Sequence, residues 1–292
     1  MKKLAFIKRS NGRHWVGDGF PVQSIFSYSD IAEEMSPFLL MDYAGPTDFP
    51  PTERKLGVGQ HPHRGFETVT IVYEGGVSHR DSSGGGGTIG PGDVQWMTAA
   101  SGLIHEEFHS EAYAKQGGPF EMVQLWVNLP AKDKMSAPGY QGITADQIPE
   151  VALPGDAGVA RIIAGDYSDN AGGHRGAART FTPMNVWDLR LKAGHRVEFD
   201  LPDGYTTALF VLKGTIRVGD QHNIRAAELA VMERQGTKLM FDVIEDTTVL
   251  LLNGEPLNEP IVGHGPFVMN TEAEIIEAIN DFNSGHFGQI NH

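Results

Sequence analysis

The sequence predicts an all-β protein in two domains, and three observations carry that prediction. Short runs rich in β-branched and aromatic residues recur along the chain: ETVTIVY (67–73), DVQWMTA (93–99), FEMVQLWVNL (120–129), MNVWDLRL (184–191), TALFVLKGTIRV (207–218) and TVLLLNG (248–254). Gly, Pro and Asp clusters separate them, and 36 glycines supply the turns that strands of this length need. A chain of 292 residues corresponds to two domains of about 150 residues each. A faint internal repeat points the same way. TIVYEGGVSHRD (70–81) and LFVLKGTIRVGD (209–220) share an apolar strand, a charged residue, a glycine turn, a second strand and an Asp.

Between the repeats, PAKDKMSAPGYQG (130–142) trades apolar residues for Pro, Lys and Gly and reads as a linker. Two helices are expected. SDIAEEM, centred on 30–35, is a weak one; NTEAEIIEAINDFNS, near the end, is stronger. Asn270 or Thr271 can cap the latter, Glu272 and Glu274 suit the positive end of its dipole, and Ile275, Ile276, Ile279 and Phe282 form an apolar face.

Composition excludes several functions. With 23 basic against 37 acidic residues, the formal charge is −14, so direct nucleic-acid binding is not expected, because phosphate contact needs clustered cations. Cysteine is absent, which removes disulfides, thiolate metal sites and a cysteine nucleophile. No Gly-x-Ser-x-Gly elbow occurs. The start MKKLAFIKRS has four apolar residues before Lys8, too few for a signal-peptide core, and no apolar run reaches the ~20 residues of a membrane span. A cytoplasmic protein without membrane contact is expected.

The chemistry is concentrated in GQHPHRGFETV (59–69) and GLIHEEFHS (102–110). On a strand, residues i and i+2 share a face, so His61 and His63 can point together, and so can His105 and Glu107. Three imidazoles and a carboxylate suit Fe, Mn, Ni, Cu or Zn and leave open coordination positions, the arrangement of a reactive rather than a structural site. Glu67 passes the same parity test as Glu107 and competes for the carboxylate role. In the second repeat, the positions 14 and 12 residues before Gly214 are Asp200 and Pro202, where the first has His61 and His63 before Gly75. Only the N-terminal half is therefore expected to hold metal in this way. His79, His109, His174, His195, His222, His264, His286 and His292 lack partners at ligand spacing and are read as structural or exposed. The GGGG at 84–87 is followed by no Lys-Ser or Lys-Thr and opens no helix, so it reads as a hairpin connection rather than a phosphate loop.

With HPHRGFETVT, GDVQWMTA, GLIHEEF, QLWVNLP and EPIVGHGPFVMNTEAEI, the chain resembles the pirin family of the cupin superfamily nearly end to end. The resemblance implies a bicupin: two antiparallel β-barrels, an N-terminal metal-binding one over 1–135 and a C-terminal one without metal over 143–292 that carries the C-terminal helix. It implies a mononuclear divalent metal, Fe(II) foremost, with Ni, Cu, Mn or Zn as alternatives. The family's ligands fall on His61, His63, His105 and Glu107, which leaves Glu67 beside the site. Two departures stand out: Ala100 where pirins show Gly in MTAG, and Glu106 between two ligands where a small residue is common. Glu106 is expected to point away.

Several pirins resemble cupin quercetinases, which implies a dioxygenase acting on a small aromatic substrate such as a flavonol, with Glu107 as the catalytic proton acceptor. Phe66, Trp96 and Met97 are candidates for the cavity wall, with core packing expected for at least two of them. Other pirins act through protein partners, which implies the alternative of a metal- or redox-sensitive regulator.

Overall fold

A computed structural model describes residues 1–10, 12–169, 172–219 and 221–290. The chain forms two compact units. One comprises residues 11–33, 38–145 and 258–292; the other comprises 1–10, 34–37 and 146–257.

The first unit pairs a seven-stranded with a four-stranded antiparallel sheet. The larger runs, edge to edge, through Gly139–Ile143, Val94–Thr98, Phe66–Glu74, Gly118–Asn128, Phe38–Phe49, Phe20–Phe26 and Arg13–Val16. The smaller runs Gly57–His63, Leu103–His109, Val77–Asp81, Gly86–Ile89. The segment expected as a linker thus ends in the edge strand Gly139–Ile143, whose Tyr140 pairs with Met97. The four glycines lead from a tight turn into Gly86–Ile89, so that stretch is a hairpin connection.

The second unit repeats this plan strand for strand. Its larger sheet is ordered Leu4–Arg9, Glu228–Met232, Thr206–Lys213, Thr247–Gly254, Met184–Leu191, Gly158–Ala164, Glu150–Ala152. Its smaller sheet is ordered Arg196–Asp200, Lys238–Val243, Thr215–Val218, His222–Arg225.

What differs is the inner face of the small sheet. In the second unit Val197, Phe199, Ile216, Val218, Leu239 and Phe241 turn inward and join Trp187 and Leu251 in one apolar cluster. The positions that correspond to His61, His63, His79, His105 and Glu107 are therefore filled with hydrocarbon and aromatic rings. Asp200, reached by counting back from Gly214, is exposed and salt-bridged to Lys238 at 2.8 Å. The count is one residue out of phase with the pleat, since Val197 and Phe199 face inward.

The termini correct the expected boundaries of 1–135 and 143–292. Leu4–Arg9 belongs to the second unit, where it pairs with Glu228–Met232 and packs Leu4 and Ile7 on the apolar cluster. Residues 258–292, helix included, belong to the first unit. Val268 is buried with Leu39 and Phe66, and Phe267, Met269, Ile275, Ala278 and Phe287 form their own cluster. The physical reason is burial: each segment has an apolar stripe, and the partner that covers it lies far away in sequence.

The helix spans Glu272–Asn283 with Thr271 as its cap, the Thr271 Oγ1 accepting from the Glu274 amide at 3.3 Å. Its buried face is Ile275, Ala278, Ile279 and Phe282. Ile276, expected on that face, is 59% exposed, because positions three, four and seven on from Ile275 are 278, 279 and 282. The weaker helix is a single turn, Ala32–Met35.

Candidate metal centre

The strand Gly57–His63 ends at a turn that only glycine can make. Gly65 has φ +93°, and a Cβ there would stand 2.0 Å from the Val268 carbonyl oxygen. The turn resets the pleat between His63 and the next strand, so parity cannot be carried from His61 and His63 to Glu67. Arg64 in the same turn is buried. Its Nε donates to the Ser101 carbonyl at 2.6 Å, its Nη2 meets Asp281 at 2.7 Å, and its guanidinium lies 4.7 Å from the Phe287 ring centroid. Lys134 adds a second anchor: the buried Nζ donates to the carbonyls of Gly65 (2.7 Å) and Val268 (2.9 Å) and to Asn128 Oδ1 (2.6 Å). Burial pulls its pKa down to about 7. The C-terminal segment thereby fixes the loop that carries His63.

Register then gathers the imidazoles. His105 pairs with His61 on one side and with Asp81 on the other, and Glu107 pairs with His79. Directly opposed residues share a face, so all of these side chains point inward. Nitrogens of His61, His63 and His105 lie within 4.8 Å of one another, and the Nε2 atoms of His61 and His105 are 2.7 Å apart. His61 Nδ1 sits 2.8 Å from the Gly59 carbonyl oxygen. A carbonyl can only accept, so Nδ1 carries the proton and His61 Nε2 offers a lone pair. His63 and His105 are buried, and desolvation, followed by the neighbouring imidazoles, holds both well below the usual histidine range. They are neutral at physiological pH, which is the ligand form.

Glu107 does not join that triad. Its carboxylate groups with His105 and His79, and its Oε1 accepts from Gln95 Nε2 and from Thr70 Oγ1, the latter at 3.3 Å. Glu67 lies on the opposite face of its strand. Thr98 Oγ1 donates to its Oε1 at 2.8 Å, and its buried Oε2 has no hydrogen bond. Burial raises its pKa to about 7. The Trp96 indole lies near enough to ease that cost without meeting hydrogen-bond geometry. Glu106 faces away from the cluster to Lys55, at 3.3 Å. Ala100 takes φ +42°, a left-handed conformation that glycine adopts more readily.

Of the three wall candidates, Phe66 is 5.2 Å from the His63 ring and stacks on Trp126 at 4.3 Å. Met97 packs with Leu103 and Tyr140. Trp96 belongs with Glu67, on the other face.

Two residues were hidden from sequence reading. His79, read as structural or exposed, is buried against the cluster, with Nε2 3.0 Å from Asp81 Oδ2 and Nδ1 3.3 Å from His105 Nδ1. Tyr140, inside the expected linker, stacks on it at 5.0 Å and 18°. The spacing of His79 and Asp81, two apart on a strand, was the available signal.

The donor set fits a metal ion. The buried, neutral imidazoles of His63 and His105 converge with that of His61, and a carboxylate lies two residues from one of them. His61 is half-buried, which leaves the cluster one side open. A cavity of about 550 Å³ on the outer face of the small sheet is lined by Lys55, Arg80, Glu106 and Phe108. His79 is among its lining residues, and Lys55–Glu106 and Lys115–Glu111 pairs neutralise part of its charge.

Two β-barrels on one plan, with imidazoles inside the first and an apolar filling in the second, define a two-domain cupin protein. The pirin family profile matches residues 19–127, and the profile of the pirin C-terminal cupin domain matches residues 186–288. The chain belongs to the pirin family. It is 56% identical, over 98% of its length and 99% of the relative's, to a Pseudomonas aeruginosa protein provisionally named quercetin 2,3-dioxygenase. It is 38% identical to a pirin-like protein of Caulobacter vibrioides, over 88% of this chain and 89% of that one. A crystal structure of a quercetin 2,3-dioxygenase from Acinetobacter baumannii superposes with a TM-score of 0.95 at 54% identity, covering 100% of both chains.

Proposed function

We propose that this protein is a metal-dependent dioxygenase of the quercetinase type, acting on flavonols at one ion held by His61, His63, His105 and Glu107. The observation that carries the reading is the convergence of three imidazoles inside one barrel, His63 and His105 buried and held neutral and His61 half-buried beside them; relatives that bear the quercetinase name support it. When bound, the ion would act as a Lewis acid on the substrate's 3-oxygen and, if redox-active, support oxygen chemistry. Fe(II) is the first choice, with Ni, Cu and Mn as alternatives and Zn least suited.

The chain's own residues do the rest. Glu107 takes the 3-hydroxyl proton. Gln95 Nε2 donates to its Oε1 and so holds the carboxylate in place. Trp126, half-buried, presents aromatic surface beside His63 with the buried Phe66 ring stacked against it, suited to a planar polycyclic ligand. Arg64 and Lys134 keep the His63 turn from shifting.

The test is metal analysis of the purified protein followed by incubation with quercetin, with and without oxygen. Loss of flavonol absorbance that requires both metal and oxygen is expected. Metal uptake without turnover would favour a regulator that works through protein contact.

A further inference from the structure

His79 and Asp81 form a buried pair outside the proposed ligand set. Three donors converge on Asp81 Oδ1: the Ser83 amide (2.9 Å), the Ser83 hydroxyl (2.6 Å) and the Gly85 amide (3.0 Å). That leaves Oδ2 facing His79 Nε2 at 3.0 Å. His79 Nδ1 in turn faces His105 Nδ1 at 3.3 Å, and His105 Nε2 points to the space shared with His61. The order of these atoms constrains the protons. A carboxylate only accepts, so His79 Nε2 carries a hydrogen; in a neutral ring its Nδ1 is then bare. A bare Nδ1 needs a donor, and His105 Nδ1–H is the group that faces it. His105 Nε2 is left as a lone pair, beside the lone pair of His61. Two such pairs 2.7 Å apart repel unless a cation lies against both.

We propose that Asp81 and His79 are positioning residues that fix the tautomer of His105, so that a bare Nε2 faces the metal ion. The inference rests on the metal reading above and adds to it the residues that orient one ligand. Tyr140 stacks on the His79 ring and holds its plane. In the internal repeat, His79 aligns with Val218, which lies in the apolar cluster of the second unit; that unit lacks this histidine just as it lacks the histidine ligands.

The experiment uses the full chain loaded with Zn(II), a diamagnetic probe, with affinity read by chelator competition and His79 protonation by long-range proton–nitrogen NMR. In the wild type, His79 should carry its hydrogen on Nε2. Asp81→Asn places an amide N–H against that nitrogen, which reverses the His79 tautomer and sets two N–H groups against each other at His105. It should weaken zinc binding by about 10- to 100-fold. His79→Leu should weaken it similarly, whereas His79→Asn keeps an acceptor at the Nδ1 position and should stay within about threefold of wild type. A merely structural role would make the Leu and Asn variants equally poor. Wild-type His79 protonated on Nδ1, or an Asp81→Asn protein binding zinc as tightly as wild type, overturns the proposal. A wild type that takes up no zinc overturns the metal reading itself and with it this proposal; that outcome is distinct from a zinc-binding wild type with an unaffected variant.

Discussion

Replacing Glu67 by Gln should stabilise the protein above neutral pH while leaving metal affinity unchanged. The side chain is 1% exposed, with one oxygen bonded to Thr98 and the other without a partner. Burial raises its pKa from 4.5 to about 7. Because the raised value belongs to the folded state, the folded chain binds more protons than the unfolded chain between pH 4.5 and about 7. Stability therefore falls as pH rises through that window. The cost is absent below the unfolded value and complete above the folded one. A gap of about 2.5 pH units at about 1.4 kcal/mol each gives about 3.5 kcal/mol. Urea unfolding of wild type and Glu67→Gln at pH 5, 6, 7 and 8 measures it. The two should nearly coincide at pH 5 and separate in favour of the variant by up to about 3.5 kcal/mol at pH 8. Parallel curves across the range would refute the argument. A fall in metal affinity would show instead that Glu67, not Glu107, supplies the carboxylate.

The other expectations concern the ligands and the clasp that holds them. His61→Ala and Glu107→Ala should each lower metal affinity by more than about tenfold and abolish flavonol turnover, whereas His222→Ala, an exposed position, should change neither; titration against a chelator compares the three. Lys134→Met strands three buried acceptors and should cost about 3 kcal/mol in denaturant unfolding. Arg64→Ala removes the Asp281 ion pair and the Phe287 contact and should cost about 3 kcal/mol, with limited proteolysis appearing first in residues 258–290. Metal removal should lower the melting temperature, since an ion at 1,000 times its Kd contributes about 4 kcal/mol.

The inward direction of the candidate ligands was legible because strand pleat is a local property. His61 with His63, and His105 with Glu107, are pairs two apart within single strands; the three histidines group together, while Glu107 groups with His105 and His79. Parity failed where the chain turned, at Gly65, so Glu67 was carried to the wrong face. The second repeat was legible as lacking imidazoles, but Asp200 was one residue out of phase with Val197 and Phe199. The termini were not legible, because an apolar stripe such as Leu4 and Ile7, or Ile275 and Phe282, says that a segment is covered without saying by what. Tyr140 was hidden for a related reason: an edge strand among Gly, Pro and Lys carries too few apolar residues to announce itself, and its register with Met97 is a long-range fact.

The most direct measurement is anomalous scattering from a crystal grown with Fe(II), Ni(II) or Mn(II). A single strong peak about 2 Å from nitrogens of His61, His63 and His105 and from a carboxylate oxygen of Glu107 is the expected result. A metal-loaded protein with its peak elsewhere, and none among those side chains, would contradict it.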